Sequence, residues 1–167
     1  MNLKLETRNL KLETLLIGVG NPDRGDDGAG VEVVRRLSGR LPAHARAIEL
    51  GGDATRLLPL FQSARRVVII DAMRSGEPAG TIRRFDAREA ALPARAFCGS
   101  STHTIDVAAA VELGRSLNAL PAQIEVIGIE GARFEYEATR SAAVDAAIDR
   151  TVAALGDELI SSPSPGN

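Results

Sequence analysis

Short aliphatic runs alternate along the chain with longer stretches of helical spacing, and that alternation predicts an α/β domain. Leu15-Leu16-Ile17-Gly18-Val19 is a continuous apolar run suited to a strand covered on both faces. Val31, Val33, Val34 and Leu37 then recur at helical intervals, giving a helix from about Ala29 to Arg40 that Leu41-Pro42 ends. Ala47 to Leu50 reads as a second strand, with Asp53 placed to cap a helix carrying Leu57, Leu58, Leu60 and Phe61. Val67-Val68-Ile69-Ile70 is β-branched throughout and predicts a central parallel strand that terminates directly in Asp71. Thr81 to Phe85 is a short strand, and Asp86 to Arg95 an alanine-rich, proline-broken excursion. Gly99-Ser100-Ser101-Thr102-His103-Thr104 leads into a helix with Val107, Ala110, Val111, Gly114 and Leu117 on its apolar face, the hydroxyls available as caps. A last strand, Gln123 to Ile129, ends near Glu130-Gly131, and the stripe Val144, Ile148, Val152, Leu155, Leu159 closes the structure. The expectation is a three-layer α/β/α sandwich on a mainly parallel, if partly mixed, twisted sheet.

Composition narrows this further. At 167 residues and 44% hydrophobic the chain suits one domain with a proper core, expected over residues 14–160. Aromatic residues make up 3% and tryptophan is missing, which leaves no stacking platform for bases; a net charge of -2 supplies no field for nucleic acid. Cys98 is the lone cysteine, so a disulfide framework and a multi-cysteine zinc site are excluded and a reducing cytoplasm is the default. With no histidine adjacent, Cys98 itself is read as incidental. The longest aliphatic run, Val67 to Ile70, falls far short of the roughly 20 residues a membrane span needs. Residues 2–7 and 9–14 both read Asn-Leu-Lys-Leu-Glu-Thr and hold the only lysines, Lys4 and Lys11, so residues 1–13 are expected to be a leader or tag remnant. Residues 161–167 are expected to be a disordered tail. His44, in a turn-like Pro-Ala-His-Ala stretch, is expected to face solvent.

The candidate chemistry centres on Gly18-Val19-Gly20-Asn21-Pro22-Asp23-Arg24-Gly25-Asp26-Asp27-Gly28-Ala29-Gly30, a glycine-rich loop at the carboxyl end of the first strand, where open α/β sheets bind ligands. A dinucleotide fingerprint fails because Asp23 stands where a third glycine is required. A calcium loop starting at Asp23 fails because Val34 stands where a bidentate Glu should be. A capping turn or a catalytic or metal-binding carboxylate remains, and packing alone gives no reason for the side-by-side charges of Asp26 and Asp27. Taken singly, Asp71 reads as a turn aspartate and His103 as a helix-capping residue. Asp27, Asp71 and His103 nevertheless come from three elements that end at one sheet edge, and two carboxylates with an imidazole suit a borderline divalent ion such as nickel, zinc or manganese.

These segments resemble the hydrogenase maturation endopeptidases, which process the large subunit of nickel-iron hydrogenases. The likeness covers roughly residues 14 to 156 and rests on Gly18-Val19-Gly20-Asn21 with Asp26-Asp27-Gly28-Ala29-Gly30, on Ile69-Ile70-Asp71-Ala72 and on Ser101-Thr102-His103. The resemblance implies that Asp27, Asp71 and His103 bind a metal and carry catalysis. It implies removal of a C-terminal extension from a nickel-loaded large-subunit precursor, with nickel supplied by that substrate; a cytoplasmic monomer is the expected working form. Many members carry Asp-Gly-Gly-Thr after the second strand where this chain reads Leu50-Gly51-Gly52-Asp53, so either Glu49 or Asp53 substitutes or that aspartate is not essential. Metal-activated water and direct acid/base action by the carboxylates are both compatible with the residues. A non-catalytic nickel-precursor chaperone and a small-molecule hydrolase are the competing functions.

Overall fold

The computed structural model describes residues 12–93, 95–97 and 105–161. Cys98, His103 with the rest of 99–104, the first copy of the repeat and the tail from 162 lie outside the described residues. Five strands, β1 (Leu12–Val19), β2 (Ala45–Leu50), β3 (Ala64–Met73), β4 (Ile82–Asp86) and β5 (Gln123–Glu130), form one sheet in the order β2-β1-β3-β5-β4. Four of them are parallel and β4 runs antiparallel to β5, so the sheet is mixed at one edge only. That edge is charged: Arg83 pairs with Glu77, and Arg84 with Glu125 and Glu158, which suits a strand with one unpaired side.

Among the described residues four helices cover the sheet, α1 (Ala29–Ser38), α2 (Leu57–Leu60), α3 (Val107–Ser116) and α4 (Ala142–Ser161). Alternate residues of each strand point to opposite faces. Leu15, Ile17 and Val19 of β1 with Val67, Ile69 and Met73 of β3 face α2 and α3, while Leu16, Val68 and Ile70 face α1 and α4. Both faces are therefore buried, which is why the strands read as unbroken apolar runs. The excursion after β4 is not surplus chain: Ala87, Leu92, Ala96 and Phe97 enter the core, and the Arg115 guanidinium of α3 donates to the carbonyls of Ala87, Arg88 and Ala90.

Element boundaries depart from the sequence pattern where tertiary pairing extends an element. β1 begins at Leu12 because Leu12 pairs with Ala64 and packs on the core, so the second copy of the repeat is split and Leu12 and Glu13 belong to the domain rather than to a leader. β3 runs through Asp71 to Met73, since Asp71 pairs with Gly128 and Met73 with Glu130; the carboxylate lies inside the strand's last turn of pairing instead of terminating it. α3 is capped by Asp106, whose carboxylate accepts the Ala109 N–H at 2.8 Å, while the hydroxyls of residues 100–104 lie outside the described residues. α4 reaches Ser161, which therefore belongs to the domain. His44 is half-buried with its Nε2 enclosed, contrary to the solvent-facing expectation.

Strand order reverses beside β1: the chain moves outward to β2 and then crosses to β3 on the other side. The carboxyl ends of β1 and β3 thus form a topological switch point, the place where open α/β sheets open a crevice. Two glycines make it compact. A Cβ on Gly30 would stand 2.0 Å from the Ile70 carbonyl oxygen, so only glycine lets α1 start directly over β3. Gly20 has φ 127° and would collide with the Asp27 carbonyl at 1.9 Å, so the loop can fold back against its own acidic turn.

Candidate active site

The loop after β1 becomes a 3-10 turn over Gly25–Gly28, and this turn sends its two aspartates in different directions. Asp26 is fully buried and accepts the backbone N–H groups of Ala132 at 2.8 Å, Arg133 at 2.9 Å and Ser141 at 2.7 Å, together with the Ser141 hydroxyl. Burial pushes its carboxyl up, but the hydrogen bonds from Ser141, Ala132 and Arg133 outweigh burial and hold it below the ordinary range. Packing and hydrogen bonding thus do explain half of the acidic pair: Asp26 fixes the β5–α4 connection against the loop.

Asp27 turns the other way, into a cleft of about 310 Å³ lined also by Asn21, Arg24, Asp71, Arg74, Asp106 and Phe134. One of its oxygens accepts the Asn21 N–H at 2.9 Å. Burial raises the Asp27 carboxyl, opposed by that N–H and by the positive fields of Arg24 and Arg74. Asp71 enters the same cleft from β3 and is buried. Burial first, then the charges of Asp27 and Asp106, push its carboxyl from an ordinary 3.8 to about 8 against one favourable backbone hydrogen bond from Ala72. A buried carboxyl raised this far beside a second one marks a site built for proton transfer or cation binding rather than for stability.

The structure therefore brings Asp27 and Asp71 together as expected, while His103 lies outside the described residues. Among the described residues no three His, Cys, Asp or Glu side chains are grouped so as to hold a metal ion. The two carboxylates fit a divalent cation as an incomplete set, because a cation between them would relieve the crowding that raises Asp71. Neither candidate for the missing aspartate after β2 lines the cleft. Glu49 forms a two-pronged ion pair with Arg35, at 2.9 Å for each contact, and Asp53 caps the turn after β2 by accepting from Thr55 N–H and hydroxyl. The third carboxylate at the cleft is Asp106, legible in sequence as an acidic residue just ahead of an apolar helix. Arg24, Arg74 and Phe134 were not legible in this role. The Arg74 guanidinium lies 4.1 Å from the centre of the Phe134 ring.

The sequence profile of the family described as hydrogenase maturation protease matches residues 31–158. The hydrogenase expression/formation protein HupD of Rhodobacter capsulatus is 30% identical over 150 residues, spanning 87% of this chain and 70% of that protein. The hydrogenase maturating endopeptidase HybD from Escherichia coli superposes with a TM-score of 0.70 at 25% identity, over 87% of this chain and 93% of that one. The [NiFe] hydrogenase maturation protease HycI from Thermococcus kodakarensis superposes with a TM-score of 0.72 over 90% and 94% of the two chains, a likeness of fold at 20% identity.

Proposed function

The chain belongs to the hydrogenase maturation protease family, and on that premise we propose that it removes the C-terminal extension of a nickel-loaded [NiFe]-hydrogenase large-subunit precursor at the cleft between β1 and β3. Peptide-bond hydrolysis as an activity follows from the family. The reading adds the substrate's state, the residues and their roles, and a cytoplasmic monomer as the working form. Its chief support is the pair of carboxylates, Asp27 and Asp71, that line one cleft at the topological switch point with few hydrogen-bond donors among the described residues.

Nickel is carried in by the precursor and is part of the substrate. Asp27, Asp71 and His103 are the groups that would receive it, and a cation held there polarises a neighbouring carbonyl and acidifies water. The carboxyls differ in character. Burial raises the Asp27 carboxyl as well, but the Asn21 N–H, Arg24 and Arg74 oppose that rise, so of the two it is the one suited to accept a proton from the attacking water. Where the carboxyls act directly and the metal serves only to dock the precursor, Asp71, raised to about 8, keeps its proton at neutral pH and can deliver it to the amine nitrogen as the C–N bond breaks. Both acids are raised by burial, and the extra charge of Asp27 on Asp71 is what sets their roles apart.

Mass spectrometry of a nickel-loaded precursor before and after incubation tests the reading. Loss of the extension from the loaded form, with nickel-free precursor and casein left intact, is expected, and His103→Ala should abolish processing while leaving the melting temperature close to the parent's. Equal cleavage of nickel-free precursor, or full activity in His103→Ala, would remove the metal-reading role. Stable binding with no change of mass would make the protein a chaperone instead.

A further inference from the structure

The cleft holds two guanidinium groups whose fields act on Asp27 but whose N–H donors the proposed chemistry does not use. Arg24 lies on the loop after β1, its backbone fixed by donating to the Asn21 carbonyl and accepting from the Asp27 N–H, both at 3.1 Å. Its Nε is buried without a hydrogen-bond partner. Arg74 follows β3, anchored by its own N–H to the Ala96 carbonyl at 2.7 Å, and its guanidinium rests on the Phe134 ring. Phe134 is itself held in place, since it belongs to the β5–α4 connection that Asp26 pins. Among the described residues neither arginine forms an ion pair, whereas Arg35, Arg36, Arg66 and Arg84 each pair with a carboxylate.

We propose that Arg24 and Arg74 form a carboxylate-receiving subsite, which takes an acidic group of the substrate polypeptide next to the bond to be cut. This rests on the reading of the cleft as a peptidase site. Two preorganised positive forks on adjoining walls match the planar geometry of a carboxylate better than that of a single neutral carbonyl. Stacking on Phe134 fixes the plane of the Arg74 guanidinium but leaves its N–H edges free. The Nε of Arg24 is a donor that folding has desolvated without supplying an acceptor, and Arg24 lines the cleft from which a carboxylate would approach its guanidinium. A polypeptide offers carboxylates from two sources, an acidic side chain and its own C-terminus, and both fit this subsite.

The test uses the full chain labelled with nitrogen-15, following the arginine Nε–H resonances by NMR. The probes are an end-blocked pentapeptide with a central aspartate, its asparagine counterpart, and a neutral pentapeptide with a free C-terminus. The Arg24 and Arg74 resonances should move with a carboxylate peptide and not with the asparagine one. Movement with the aspartate peptide identifies a side-chain source, and movement with the free C-terminus a terminal one. No movement with either carboxylate, or equal movement with asparagine, overturns the subsite. In precursor cleavage, Arg24→Gln and Arg74→Gln should each raise KM about tenfold, the loss of one charge-assisted contact, with a smaller change in kcat. Arg24→Lys guards against misfolding by keeping the charge, and it should restore part of the affinity. Unchanged KM in both glutamine variants overturns the subsite even if the wild type cleaves normally. Failure of the wild type to cleave refutes the peptidase reading alone, since the resonance shifts still judge the arginines.

Discussion

Asp71→Asn should make the protein more stable while destroying its activity, and the size of the gain should depend on pH. In the parent, burial and the charges of Asp27 and Asp106 raise the Asp71 carboxyl from 3.8 to about 8. Below about pH 4 the folded and unfolded chains both carry the proton and the residue costs nothing. As pH rises toward 8 only the unfolded chain releases it, so the parent loses stability across that window and levels off above it. Some four decades at about 1.4 kcal/mol each give a ceiling of about 6 kcal/mol. The asparagine amide must still be buried, at about 1–3 kcal/mol where its own hydrogen bonds are imperfect, so a net gain of about 3 kcal/mol is expected at pH 8. For a domain of this size that is roughly 6–12 °C in melting temperature. Calorimetry of chelator-treated parent and variant at pH 4, 6 and 8 measures the difference directly. A gain that is the same at pH 4 and pH 8, or a variant less stable throughout, would refute the assignment of Asp71 as a strained, proton-retaining acid.

Asp26→Ala should behave oppositely, costing about 3 kcal/mol in urea denaturation because the buried N–H groups of Ala132, Arg133 and Ser141 lose their acceptor; a loss under about 1 kcal/mol would contradict its role as a loop anchor. Removal of residues 1–11 should leave melting temperature and processing unchanged, whereas removal of 1–13 should lower the melting temperature, because Leu12 pairs with Ala64 and packs on the core. Equal stability of the two truncations would show that β1 does not need its first residues.

The layer architecture was legible because both faces of the sheet are buried, which writes β1, β3 and β5 as apolar runs and the covering helices as periodic stripes. Asp27 and Asp71 were legible for a related reason: each is a carboxylate at the carboxyl end of an apolar strand, where burial alone would disfavour it. The boundaries were less so. Leu12 joins β1 only because β3 begins at Ala64 and offers it a partner, a fact of pairing that local pattern does not carry. The separate fates of Asp26 and Asp27 depend on residues more than a hundred positions away in the β5–α4 connection, and no window of sequence contains both. Arg74 and Phe134 likewise come from distant parts of the chain.

Hydrogen bonding sorts the acids at this sheet edge more sharply than sequence position does. Asp26 and Glu130 are both nearly inaccessible, yet each is saturated: Asp26 by the 132–141 connection, and Glu130 by Ser75 N–H, Ser75 hydroxyl and Gly76 N–H at the end of β3. These acids hold the two connections that flank the cleft, and each would leave several buried donors orphaned if removed. Among the described residues Asp27 accepts one backbone N–H, from Asn21, Asp71 is favoured by Ala72 alone, and both line the cleft. A protein that surrounds two poorly satisfied carboxylates with two fully satisfied ones has fixed the walls and left the floor reactive. The two residues are chemically identical, yet Asp27 lines the cleft and Asp26 does not. The turn over Gly25–Gly28 therefore encodes a direction as well as a pair of acids.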